Sequence, residues 1–317
     1  MIIKRIKYVV LSLCLVLFAA AIIIYPERYV TSCLEGFLLW AECVLPSLFP
    51  FIIISLIFIR TGIADRASLP LKRATRVLNL PQNAAVCFLL SICSGYPAGS
   101  RLVAEFYDGG ALTEADCDKL APLCSTSGPL FIIGSVGFKM FDDKLLGVKI
   151  FFAHTLAVMI FSLIYCRFCK KTQFLPPKTV KSGGNILYDS FYGAVISVAV
   201  AGGFIAFFYV VAQFLQDFNV LYPLQKFLGL FMEETAAKSV CLGLAEVTTG
   251  CRHLARSKSP LKGALAGFLI TFGGVSILMQ QLSYLTKTGV KPLKFITFKF
   301  LQGVLCFLIV LLFSIGA

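Results

Sequence analysis

Apolar runs long enough to cross a bilayer alternate along this chain with short polar interruptions. Residues 8–25 follow Lys4, Arg5 and Lys7 and carry no charge. As a helix at 1.5 Å per residue that run reaches about 27 Å, close to the hydrocarbon thickness. It is longer than the apolar part of a cleaved leader, and no small-residue cleavage site follows before Pro26-Glu27-Arg28, so the pattern predicts a retained helix. A second run covers 33–59, with Glu35 and Glu42 near its start and Pro46 and Pro50 expected to interrupt it. Proline removes a backbone donor, which a membrane tolerates only where neighbours serve the freed carbonyls.

The next apolar stretch, 84–100, ends in Ser94-Gly95-Tyr96-Pro97-Ala98-Gly99-Ser100. About ten residues before a Gly/Pro-broken tip are too few for a helical crossing, so a re-entrant segment is expected. Residues 101–119 are acidic and amphipathic, through Glu105, Asp108, Glu114, Asp116 and Asp118. An uncharged stretch, 120–138, opens on Ser125-Thr126-Ser127-Gly128-Pro129, and 145–166 makes another span holding only Lys149 and His154. Beyond residue 188 come uncharged 190–216, then 226–249 with Glu233, Glu234, Lys238 and Glu246, uncharged 263–286, and 294–316 with Lys294 and Lys299.

Between these two sets runs Arg167–Lys181, with basic residues, no acid, and Pro176-Pro177. This divides the chain into a leading helix (1–30), a first membrane repeat (31–166), a basic cytoplasmic linker (167–188) and a second membrane repeat (189–317). Laid over each other with an offset of 145, the halves place Gly128 on Gly273, Lys149 on Lys294 and His154 on Lys299. The expected fold is an all-α polytopic membrane protein with a two-fold repeat, each half holding a re-entrant or broken-helix hairpin, with 7–9 membrane segments in total. Three full crossings per half would invert the second repeat. Arg252, Arg256, Lys258 and Lys262 oppose that inversion, because it puts them outside.

Composition narrows the class. Of 317 residues, 58% are hydrophobic and 14% charged, against roughly 25% charged in a soluble domain. The mean hydropathy is +0.86. A soluble enzyme, a disulfide scaffold and a disordered regulator are all excluded. The net charge of +13 sits mainly in short loops beside apolar runs, Arg60, Arg66, Lys72, Arg73 and Arg76 among them. That is the pattern of topology signals, not of a nucleic-acid face. It places the N-terminus in the cytoplasm. The 12 cysteines lie mostly in apolar segments and read as small hydrophobes. The Cys166/Cys169 pair has no second pair or spaced histidine to complete a zinc site.

Four blocks carry a family resemblance: WAECVLPSLFPFIIISLIFIR at 40–60, SGYPAGS at 94–100, STSGPLFIIGSVG at 125–137 and GLAEVTTG at 243–250. Together they resemble the YlbJ-type sporulation integral membrane proteins, over essentially residues 30–316. That group sits among proteins with the "nucleoside recognition" Gate domain, shared with concentrative nucleoside transporters and the ferrous-iron transport protein B. The resemblance implies a multi-spanning plasma membrane protein of a spore-forming bacterium, needed for spore development. It supplies no substrate and no nucleoside-contacting side chain. The chain also lacks the GxxxxGK[ST] motif of a GTPase domain.

The broken segments supply the candidate chemistry. Freed carbonyls and N–H groups at such breaks coordinate ions or polar solutes. The candidate substrate-binding set is therefore Ser94, Gly95, Tyr96, Pro97 and Gly99; Ser125, Thr126, Ser127 and Gly128; Glu246, Thr248, Thr249 and Gly250; and Gly273, Gly274 and Gln280. Glu246, a carboxylate at membrane depth, is a functional candidate in its own right, for a coupling cation or proton. Its structural alternative is an interfacial pair with Arg252 or Arg256, as that of Tyr96 is a headgroup anchor. Glu234 and Lys238, four apart, read as a helix ion pair.

The expected function is a secondary transporter or solute-binding membrane protein acting in cortex and envelope development. The alternative is an assembly factor that recruits membrane partners during sporulation. With no HExxH or GxSxG motif, no catalytic residue, cofactor or metal is expected. Expected partners are membrane lipids and a small solute, with a homo-oligomer or sporulation proteins beyond them.

Overall fold

A computed structural model describes residues 2–172 and 184–315, so the linker stretch 173–183, with Pro176-Pro177, Lys178 and Lys181, lies outside the described residues. Every regular element among them is a helix. The first, α1, is Ile2–Ile24. The second, α2, runs unbroken from Pro26–Arg60. The expected interruption at Pro46 and Pro50 does not occur. A single π turn, Trp40–Val44, precedes Pro46. The Ser47 hydroxyl donates to the Cys43 and Val44 carbonyls, each at 2.9 Å. Widening one turn and adding a side-chain donor lets a helix absorb proline as a bend.

Two short helices follow, α3 (Ile63–Ser68) and α4 (Lys72–Val77). Then come two pairs of half-length helices, α5 (Ala84–Ser94) with α6 (Ala98–Asp108), and α7 (Glu114–Cys124) with the π-helical α8 (Leu130–Met140). Thr113 and Asp116 close a capping box at the start of α7. A long helix, α9 (Lys144–Phe168), completes the part before the linker.

After the linker come α10 (Ile186–Asp217), short α11 (Tyr222–Leu228), and the half-length pairs α12 (Glu234–Ala245) with α13 (Val247–Ala255) and α14 (Lys262–Phe272) with α15 (Gly274–Leu285). The last helix, α16, is Pro292–Ile315. A helix of about 11 residues reaches only some 16 Å, roughly half a bilayer. The α5–α6 and α12–α13 pairs pack back against themselves, the first of them at the tip of 84–100, where a re-entrant segment is expected.

Five stretches are long and apolar enough to cross: Pro26–Arg60, Lys144–Phe168, Ile186–Asp217, Lys262–Thr288 and Pro292–Ser314. In Lys262–Thr288, 83% of the most apolar window is buried, against 39% to 56% in the other four. The broken α14–α15 element is thus the interior post around which the rest packs. The outer helices leave Leu13, Leu15, Phe152, Phe191, Phe207 and Leu312 exposed. Only hydrocarbon is a good solvent for such a surface, and all-helical backbone is what hydrocarbon permits. The chain is a multi-pass integral membrane protein.

Polar ties mark the two ends of the bundle. At one end Lys287 pairs with Asp108 at 2.8 Å, and Lys294 pairs with Asp118. There the buried Lys119 donates to the carbonyls of Asn79 (3.0 Å) and Lys170 (2.7 Å) and to the Thr172 hydroxyl (2.6 Å). The Asn79 amide in turn caps α9 through the Cys166 and Cys169 carbonyls, at 2.8 and 3.0 Å. At the other end Arg28 meets Asp217 at 2.5 Å, and the Ser257 hydroxyl donates to Glu233 at 2.6 Å. That hydroxyl is the main reason the Glu233 carboxyl is held below its ordinary value. The expected Glu234–Lys238 ion pair is absent from the ion pairs of the described residues; Lys238 instead lines a crevice with Gln216, Asn219 and Cys241.

Candidate functional site

Each half-length pair has its own reason to break. Gly95 adopts φ +69° and ends α5, and the following Tyr96–Pro97 peptide is cis. Residues 125–128 are non-helical, and Pro129 then opens α8. Glu246 is extended, at φ −141°. Gly273, at φ +92°, ends α14. The four breaks are far apart in sequence and meet in the middle of the bundle. Gly95, Tyr96, Ser127, Gly128, Glu246, Thr248 and Gln280 share one cavity with Val44, Ser47, Leu48, Phe131, Ile205 and Ile277. Its volume is about 30 Å³, room for a water or a small ion and far below the ~300 Å³ of the smallest ordinary ligand pockets.

Glu246 is 1% exposed. It does not pair with Arg252 or Arg256; it turns back on its own helix as the N-cap of α13. Its Oε1 accepts from the Thr248 N–H at 3.0 Å, and its Oε2 from the Thr249 N–H and hydroxyl at 2.6 and 2.8 Å. A helix N-terminus is where a buried carboxylate is best supported. Tyr96 is likewise buried, not an interfacial anchor, and its hydroxyl donates to the Ile270 carbonyl at 2.7 Å. That bond joins the first break to the residues just before the fourth.

The second break is held from three sides. The Ser127 N–H donates to His154 Nε2 at 3.0 Å, and His154 Nδ1 faces the Thr271 hydroxyl at 2.9 Å. Lys299, fully buried on α16, donates to the Ser125 carbonyl at 2.7 Å and to Gln302 Oε1 at 3.1 Å. The Ser125 hydroxyl donates to Gln281 Oε1, which also takes the Ser100 hydroxyl at 3.4 Å. Thr126 Oγ1 and Gln281 Nε2 are buried with no protein partner.

Other expected residues stand back from the cavity. The Ser94 hydroxyl contacts that of Ser55 at 2.8 Å and the Phe51 carbonyl at 3.3 Å, tying α5 to α2. Gly99 and Gly250 are packing positions. A Cβ on Gly99 would lie 1.9 Å from the Cys124 carbonyl oxygen, and one on Gly250 would lie 2.2 Å from the Gly243 Cα. Pro97, Gly273 and Gly274 shape breaks without lining the cavity.

Sequence reasoning missed the way in. A polar crevice of about 260 Å³, lined by Glu35, Gln213, Thr249, Arg252, His253 and Arg256 among others, reaches the residue whose hydroxyl binds Glu246. Through Ser32, Glu35 and Gln213 it continues into an open cleft of about 640 Å³ beside Tyr25–Arg28. Glu35 and Gln213 lie on different helices, so no local motif announces them. Among the described residues no cluster of three or more His, Cys, Asp or Glu is placed to hold a metal ion.

These features define a polytopic helical membrane protein whose broken helices line a small, largely apolar interior cavity holding one buried carboxylate. The particular likeness is to the sporulation integral membrane protein YlbJ of Bacillus subtilis (strain 168), 27% identical over 92% of this chain and 79% of that protein. The expected resemblance to the YlbJ-type sporulation integral membrane proteins is thereby shown, and membership of the Gate group is not. No family model matches the chain, and no solved structure matches it.

Proposed function

We propose that this chain is a secondary transporter or solute-binding membrane protein of the Gate type, acting in spore formation in the development of cortex and envelope. The observation that carries this reading is that three helix breaks, together with the helix after the fourth, line one cavity with a buried carboxylate in its wall. Breaks cost backbone hydrogen bonds, and a protein dissolved in lipid keeps them where they face a solute or an ion. The role in sporulation rests on the likeness to YlbJ.

The order of elements supports a two-fold repeat. A long helix, short amphipathic helices, a hairpin, a broken span and a long helix occur before the linker, and the same order occurs after it. The hairpins enter from opposite ends, Asp108 lying with Lys287 and Glu233 with Ser257, while their tips meet at the centre. Hairpins so placed support an inverted repeat. With the N-terminus and linker cytoplasmic, α1, α2, α7–α8, α9, α10, α14–α15 and α16 cross the plasma membrane, and the hairpins re-enter. The polar crevice then opens on the far side, and Glu246 is the place for a coupling cation or proton.

A thermal-stability screen of the purified protein in detergent tests the reading. The panel is nucleosides, peptidoglycan precursors, dipicolinate and common cations, with Glu246→Gln as control. A ligand that binds only the folded state raises its stability by mass action, by about 2.7 kcal/mol at a hundredfold excess over Kd. The expected result is a saturable rise for one solute class, lost in Glu246→Gln while that variant stays folded. No rise across the panel would turn the interpretation toward an assembly factor.

A further inference from the structure

The cavity has room for a water or a small ion, and a larger solute enters only if the breaks separate. An imidazole ties the second break to the residue just before the fourth, beside the bond from the Ser125 hydroxyl to Gln281 on α15. The Ser127 N–H is an obligatory donor, so His154 Nε2, 3.0 Å away, must be the bare nitrogen. The proton of the neutral ring is then on Nδ1, which donates to the Thr271 hydroxyl at 2.9 Å. Ser127 lines the cavity and Thr271 lies two residues before the Gly273 break. One ring on α9 therefore pins the cavity wall to the interior post.

We propose that His154 is a proton-operated clamp on the solute site, whose protonation releases Ser127 and frees the second break to move. The chemistry is that of a donor and acceptor inventory. A proton gained at Nε2 leaves two N–H groups facing each other where one bond stood, so the contact to Ser127 is lost while that to Thr271 survives. The buried Ser127 N–H must then find a new partner, and the unpartnered Thr126 Oγ1 lies one residue away on the same non-helical segment.

The surroundings favour release once the proton is on. α16 presents Lys299, whose charge acts on His154, and Cys306, which lies beside both Thr271 and Lys299. The break between α7 and α8 presents Ser125, Thr126 and Ser127, and the end of α14 presents Thr271, all uncharged. Among the described residues no carboxylate acts on His154, so an imidazolium there is repelled by Lys299 and compensated by nothing. The clamp rests on the reading of the breaks as moving parts of a solute site, and deepens it by naming the group that locks them.

Hydrogen–deuterium exchange of the full-length protein in detergent tests it with no solute present. Exchange is followed in peptides covering 120–130 and 268–276, corrected for intrinsic rate, from about pH 8 to about pH 5, where histidine changes charge. If opening takes up one proton, the opening constant around Ser127 rises by up to about tenfold per pH unit as pH falls. His154→Gln retains an acceptor and cannot be protonated in this range, so its response should be flat. A flat response in the wild type, or an undiminished one in His154→Gln, overturns the clamp. Should that variant fail to fold, Thr271→Val serves. It removes the acceptor for Nδ1–H, a bond the imidazolium makes more strongly, and should move the midpoint to lower pH; an unmoved midpoint overturns the clamp. Since no ligand is involved, either failure leaves the thermal-shift screen to judge the solute site separately.

Discussion

At Gly99 and Gly250 the backbone of one hairpin helix comes so close to a neighbouring chain segment that no side chain fits between them. In both the nearest obstacle is backbone, which cannot swing aside. Overpacking a core costs about 1–3 kcal/mol when side chains can yield, and more when they cannot. Gly99→Ala and Gly250→Ala should each destabilise the protein by at least that amount, read as a lower melting temperature in detergent. Gly203 is the internal control. A Cβ there meets nothing within 4 Å, and replacing glycine by alanine inside a helix gains roughly 0.5–1 kcal/mol. Gly203→Ala should therefore melt at or above the wild type. If Gly99→Ala melts with it, the close approach of α6 to the end of α7 is wrong.

Among the elements, the breaks were the legible part. Clusters of Gly, Pro and Ser at 94–100 and 125–129, and a carboxylate followed by Thr-Thr-Gly, are local signals, and apolar runs of half a bilayer's length already forbid a crossing. Two things were illegible for physical reasons. The π turn at Trp40–Val44 leaves no periodicity of its own, so Pro46 reads as an interruption of the helix. Contacts made across more than a hundred residues, such as Ser125 with Gln281 or Tyr96 with Ile270, have no signature in either segment. The Glu234–Lys238 spacing misled because helix geometry brings two side chains near without making them meet, and Glu234, in the first turn of α12, already has the helix N-terminus as a favourable environment.

The knot at Lys119 belongs to the same illegible kind and has a mechanical consequence. It fastens the end of α9 to the start of the hairpin region through carbonyls of Asn79 and Lys170. A hydrogen bond from a charged group contributes about 1.5–3 kcal/mol net, most of which Lys119→Met should remove. The end of α9 would then fray first, and limited trypsin digestion at Arg167, Lys170 and Lys171 should be faster in the variant than in the wild type. Equal digestion rates would show that α9 is held by its packing alone.

At the scale of the whole molecule, the inverted arrangement must answer the charge rule. It places Arg252, Arg256, Lys258 and Lys262 on the far side of the membrane, where short loops are normally poor in Lys and Arg. The structure offers a reason this is tolerated. The far end also gathers acids, with Asp217 bound to Arg28, Glu233 at the start of α12, and Glu35 sharing the crevice with Arg252 and Arg256. The positive-inside bias acts on crossings, whereas these residues follow a hairpin that enters and leaves on one side. The near end holds Arg60, Arg66, Lys72, Arg73 and Arg76 beside acids of its own, among them Glu105, Asp108 and Asp118. The orientation of α16 decides between the two arguments. It begins beside Asp118 through Lys294, at the end that carries the linker, and its length takes it across, so its last residue emerges opposite to the linker. Alkaline phosphatase fused after Ala317 should be active, and a fluorescent protein at the same position should be dark. The reverse result would put the C-terminus in the cytoplasm, make the number of crossings even, and remove the inverted relation on which the meeting of the two hairpin tips as transporter gates depends.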